Sequence, residues 1–114
     1  MKQALISRIA LAMALICITS PASAQSVTAK VVNIEPSYMP DMVLFKLDAA
    51  FGACAAGSWV YYYGTAYYPN PVTDAKKNVQ AVYVGLLATM LAGKKVEVSG
   101  SATCIALNVH PTNQ

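Results

Sequence analysis

The chain has 114 residues, a formal net charge of +3, 56% apolar residues and only 11% charged ones. This length gives one domain with a small core. Nucleic-acid binding needs clustered basic residues to neutralise phosphate, and the only clusters, Lys76-Lys77 and Lys94-Lys95 at the two ends of the expected helix, read as helix-end solvation and not a binding patch.

Residues 1–24 carry the pattern of a secretory leader: Lys2 and Arg8 at a basic start, an apolar run from Ile9 to Ile18, and Pro21-Ala22-Ser23-Ala24 ending in an A-x-A cleavage site. The competing reading is a retained anchor. The run, however, falls short of the roughly 18 to 20 residues that span a bilayer. Cleavage after Ala24 is therefore expected, with export to the periplasm or beyond and no membrane attachment afterwards. It also removes Cys17, where the preceding Ile16 does not suit lipoprotein processing. Residues 25–114 then keep six lysines, no arginine, five carboxylates and the cysteines Cys54 and Cys104. In an oxidising compartment those two thiols are expected to form a disulfide. A redox or metal site is the alternative, but the thiols are fifty positions apart and His110 is the only histidine, which fits neither C-x-x-C nor zinc spacing.

Alternation over Val27 to Glu35 predicts a half-buried strand with Val27, Ala29 and Val31 on one side, ended by Pro36. The loop Ser37-Tyr38-Met39-Pro40-Asp41 follows. A second strand is expected over Met42 to Asp48, with Val43, Phe45 and Leu47 on one side. Ala49 to Gly57 is small and glycine-containing and reads as a connection that presents Cys54. Ser58 to Tyr63 predicts a third strand, with Trp59, Tyr61 and Tyr63 on one side and Val60 and Tyr62 on the other. Pro69-Asn70-Pro71 then excludes helix.

Thr73 to Lys95 is the one helical pattern after the leader. Thr73 is a candidate N-cap, Asp74 a first-turn acid and Gly93 the C-terminal stop. Val79, Val82, Tyr83, Leu86, Leu87, Met90 and Leu91 form an apolar face expected to pack on the sheet. Ala81, Gly85, Ala88 and Ala92 form a second, small-residue face without charge, a candidate oligomer contact unless another part of the chain covers it. Lys95 to Ser99 and Thr103 to Val109, joined at Gly100-Ser101, predict a final hairpin, with His110-Pro111 opening the tail.

The order β-β-β-α-β-β is that of a five-stranded OB-fold barrel, mainly β with one α-helix plugging an end. Within it, NVQAVYVGLLATMLAGKKVEVSGSATC (residues 78–104) resembles the helix-to-hairpin segment of small secreted bacterial proteins related to the subtilase cytotoxin B subunit. The resemblance covers about thirty residues and otherwise rests on element order. It implies an OB-fold toxin-subunit-like protein that oligomerises and binds glycans, with no glycan-contacting residue transferable to a position here.

Catalysis is not expected. Glu35, Asp41, Asp48, Asp74 and Glu97 fall on loops, a cap or solvent faces, and His110 lies beside a proline, so no acid–base pair, triad or metal set assembles and no cofactor is implied. The aromatic cluster Trp59, Tyr61, Tyr62, Tyr63, Tyr67, Tyr68 beside Asn70 is the remaining signal. Rings of alternate strand positions are expected in the core, which leaves an outward Tyr62 with Tyr67, Tyr68 and Asn70 as candidate glycan-binding residues. The expected function is thus a secreted or periplasmic binding module that recognises a glycan or surface partner. The alternative is a periplasmic inhibitor or accessory protein acting through the 36–42 loop.

Overall fold

A computed structural model describes residues 25–64, 74–100 and 102–114. The leader at 1–24, with its cleavage site and Cys17, lies outside the described residues, as do Thr73, Tyr67, Tyr68 and Asn70. Among the described residues six strands and one helix run in the order β1 (Gln25–Glu35), β2 (Val43–Leu47), β3 (Trp59–Tyr62), α1 (Ala75–Leu91), β4 (Lys95–Gly100), β5 (Ile105–Ala106) and β6 (Asn108–Pro111). The protein is mainly β with a single helix and has a nearly closed, OB-fold-like barrel.

The expected last strand is divided. The chain bends at Leu107, so that β5 pairs parallel with β3 (Tyr61 with Ile105) while β6 pairs antiparallel with β4 (Val98 with Val109). In the sheet order β5-β3-β2-β1-β4-β6 the two ends are consecutive pieces of one segment, which is how the sheet curls toward closure. His110, expected in a tail, is an exposed residue of β6 opposite Glu97.

Long β1 is central, pairing with β4 through its first half and with β2 through its second. A bulge between Val31 and Asn33 separates the halves. It puts Val32 and Asn33 both on the outside and restores Ile34 to the inside, opposite Phe45. The core collects Ala29, Val31, Val43, Phe45, Leu47, Val60, Val96 and Val98 from the inner faces, with Val79 and Leu86 from the helix. Phe51, from the glycine-containing connection, is also fully buried, because the Phe51–Cys54 turn is bonded in both directions and folds its ring inward.

The helix begins at Ala75, with Asp74 at the N-cap making no side-chain capping bond, and ends before Gly93. There Gly93 (φ 70°), the bond from the Gly93 N–H to the Met90 carbonyl and that from Lys94 to Thr89 make a Schellman stop, which leaves Lys94 and Lys95 beyond the helix. At 100° per residue, Leu86, Met90, Val82 and Tyr83 lie within about 60° of fully buried Val79, whereas Leu91 is about 120° away. Leu91 is accordingly 76% exposed, a correction to its expected place on the core face. Thr89 is buried instead, its hydroxyl satisfied by donating to the Gly85 carbonyl. The helix N-terminus is fixed by contact with Gly64. Asn78 Nδ2 donates to the Gly64 carbonyl at 3.1 Å, and a Cβ on Gly64 would lie 2.2 Å from the Ala75 oxygen.

Cys54 and Cys104 form the expected disulfide, their Cα atoms 5.1 Å apart. It joins the 51–54 turn, whose ends Phe51 and Cys54 are buried, to the start of β5, where the Cys104 carbonyl accepts the Tyr61 N–H at 2.8 Å. Among the described residues no helix is long and apolar enough to cross a membrane.

Candidate functional site

The third strand reverses the expected arrangement of its rings. Val60 and Tyr62 pair with Phe45 and Val43 on the inside, and Tyr62 is only 7% exposed, so its expected outward placement is corrected. Burial there raises the Tyr62 phenol above its ordinary pKa. Trp59, Tyr61 and Tyr63 face outward, Trp59 and Tyr61 half-buried and Tyr63 41% exposed. Register decides this: because Val43 and Phe45 are core residues, their antiparallel partners on β3 must share the inner face.

The same pairing assembles the rest of the outer face. Lys46 lies opposite Trp59 and carries its ammonium 4.5 Å from the ring centroid, a cation–π contact. Leu44 lies opposite Tyr61 and is itself covered. Across β2, Asn33 aligns with Lys46 and Glu35 with Leu44, while Ile105 aligns with Tyr61 from the other side. Val32, turned out by the bulge, is 53% exposed. The Tyr61 and Tyr63 rings are nearly parallel, 8° apart in plane with centroids 6.3 Å apart. The result is a line of three rings along β3, flanked toward β1 by an amide, an ammonium and an aliphatic side chain. The aromatic residues were visible in the sequence. The polar Lys46 on the outward phase of β2 was the signal that could have assigned their side.

Charge on this face is slight. Lys46 and, at the β1 margin beside Asp48, Lys30 are its cations, and Glu35 is turned to its own loop, where its carboxylate accepts the Ser37 N–H at 2.7 Å. Hydrogen bonding from the Ser37 side chain and then its backbone holds the Glu35 pKa below the ordinary value. That bond braces the 36–42 loop, as do bonds from Met39 to the Pro36 carbonyl and from Asp41 to the Tyr38 carbonyl. Tyr38 projects from it, 53% exposed. Asp41 also approaches Lys76 of the helix at 3.9 Å, but both side chains are largely in solvent and the pair contributes little.

The second candidate surface is on α1. Ala81, Ala88 and Ala92 are exposed, and so are Val84 (62%) and Leu91. Gly85, grouped with the small residues in the sequence, is half-buried and faces Pro111 of β6, whose Cγ a Cβ there would meet at 3.3 Å. Among the described residues, no group of three or more His, Cys, Asp and Glu side chains could hold a metal ion. No protein-family model, curated protein or solved structure matches this chain.

Proposed function

We propose that this protein is an exported, non-catalytic binding module that recognises glycans through the outer face of β2 and β3. The observation that carries the reading is the row Trp59, Tyr61 and Tyr63, held outward on a strand with Lys46 and Asn33 beside it. Sugar C–H faces stack on aromatic rings while amide, ammonium and phenol groups take hydroxyl hydrogen bonds. The β2–β3 surface is also where OB-folds commonly hold oligosaccharides or oligonucleotides. Two lysines matched by Glu35 and Asp48 on the face argue for the former, since single-stranded nucleic acid needs a basic groove alongside its stacking rings. The resemblance of residues 78–104 to secreted toxin B-subunit-like proteins agrees with this reading and with self-association through the uncharged α1 face around Val84, Ala88 and Leu91.

Trp59 is the only tryptophan of the chain, so its fluorescence reports directly on this face. Immobilised glycans screened with the parent protein and with Trp59→Ala, at a temperature where circular dichroism shows both folded, should give binding that the substitution lowers at least about tenfold. A silent screen together with an unresponsive Trp59 would refute the reading. The braced 36–42 loop favours a second one, insertion of Tyr38 into a protein partner. In that case Tyr38→Ala, and not Trp59→Ala, abolishes capture of the partner.

A further inference from the structure

Resting on that glycan reading, we infer that the face takes an extended, β-linked neutral oligosaccharide lying along β3 across three rings, and not a single terminal sugar. Three observations carry this.

The first is spacing. Alternate residues of a strand are about 6.6 Å apart, and the Tyr61 and Tyr63 centroids follow at 6.3 Å. Trp59 to Tyr63 therefore extends over roughly 13 Å, longer than one hexose. The second is shape. Trp59 and Tyr61 stand on one side of one strand, followed immediately by Tyr63, and the tyrosine planes are only 8° apart, so successive rings follow one another in the strand direction. A lone sugar reaches one ring of such a series and leaves the others uncontacted, whereas a straight chain reaches all three. A helically coiled α-linked chain departs from the row after one contact. The third is charge. Lys46 is already engaged over Trp59, Glu35 is bonded to Ser37, and Asp48 accepts the Lys30 N–H at 2.9 Å. Among the described residues this face carries two lysines, Lys30 and Lys46, against two carboxylates, Glu35 and Asp48, and that balance favours a neutral sugar over an anionic one.

The test titrates the parent protein, Tyr63→Ala and Trp59→Ala with β1,4-linked N-acetylglucosamine and glucose oligomers of one to six units, and with α1,4-linked glucose oligomers of the same lengths. Trp59 fluorescence reads the parent and Tyr63→Ala, and calorimetry reads all three. Tyr63 is substantially exposed, so its truncation leaves the fold intact, as circular dichroism will verify. In a β-linked series the parent should tighten roughly tenfold for each unit up to three and little after that. Tyr63→Ala should remove the gain from the third unit while lowering single-sugar affinity by less than about twofold, and α-linked oligomers should bind no better than glucose. If one unit binds as tightly as three, or if Tyr63→Ala weakens every length equally, the extended-chain inference is overturned while glycan binding stands. If no oligomer moves either signal and an immobilised glycan screen is also silent, the glycan reading falls and this inference with it.

Discussion

Removing the disulfide by Cys54→Ala with Cys104→Ala opens a loop of fifty positions. In the chain-entropy model that crosslink stabilises by about 4 kcal/mol. A domain of about ninety residues has a total of roughly 5 to 13 kcal/mol, so the loss is a large fraction and should lower the melting temperature by about 20 °C or more. The loss is also local. Cys104 presents its carbonyl to the Tyr61 N–H, and β5 meets β3 over only two residue pairs, so this seam depends on the bridge more than the β1–β4 ladder, with six pairs, does. Urea unfolding followed by Trp59 fluorescence measures the first effect, and amide hydrogen exchange the second. Tyr61 should lose protection under conditions where the β1–β4 amides keep theirs. A double variant within about 1 kcal/mol of the parent, or one whose Tyr61 amide exchanges as slowly as the β1–β4 amides, would refute the reasoning.

Gly64→Ala forces a Cβ into the Ala75 carbonyl at a residue with φ 78°, and should cost about 2 kcal/mol or more in urea unfolding. Leu86→Ala empties a fully buried site and should cost about 2 to 5 kcal/mol, while Leu91→Lys on the far side of the same helix should change stability by less than about 0.5 kcal/mol. If the outer α1 face joins copies of the chain, that lysine should also lower the sedimenting mass. Glu35 has a folded pKa below its ordinary value, so its contribution is present above the unfolded carboxylate pKa and is lost as pH falls through the folded one. The Ser37 amide resonance should titrate with a midpoint below the usual glutamate range, and in Glu35→Gln that titration should vanish.

Period-two alternation located β1, β2 and β3, and the glycine stop and apolar spacing located the helix, because each is a local property of a few consecutive residues. The cysteine pairing followed from there being only two thiols in residues 25–114. What escaped were properties of registration between distant segments. Which half of Trp59 to Tyr63 turns inward depends on its alignment with Val43 and Phe45, and the connection between those strands is irregular, so Tyr62 was placed outside and the binding row inside. The bulge at Val32 and the bend at Leu107 leave no residue-level signature, and Phe51 enters the core from a segment whose composition reads as loop. Leu91 shows the same limit within a helix: three- and four-residue spacing drifts, and its last member rotated into solvent. Tyr67, Tyr68 and Asn70 lie in residues 65–73, outside the described residues, so the site proposed here stands on Trp59, Tyr61 and Tyr63.

The bend at Leu107 also bears on the order in which the molecule can be assembled. Both margins of the sheet await the same short stretch, residues 105–111, which a ribosome makes after β1 to β4. Until that stretch arrives, the nascent polypeptide presents two unzipped rims and an uncovered apolar interior. Completion is consequently a late, single event, and trimming only a few residues from this stretch would reopen two seams at once.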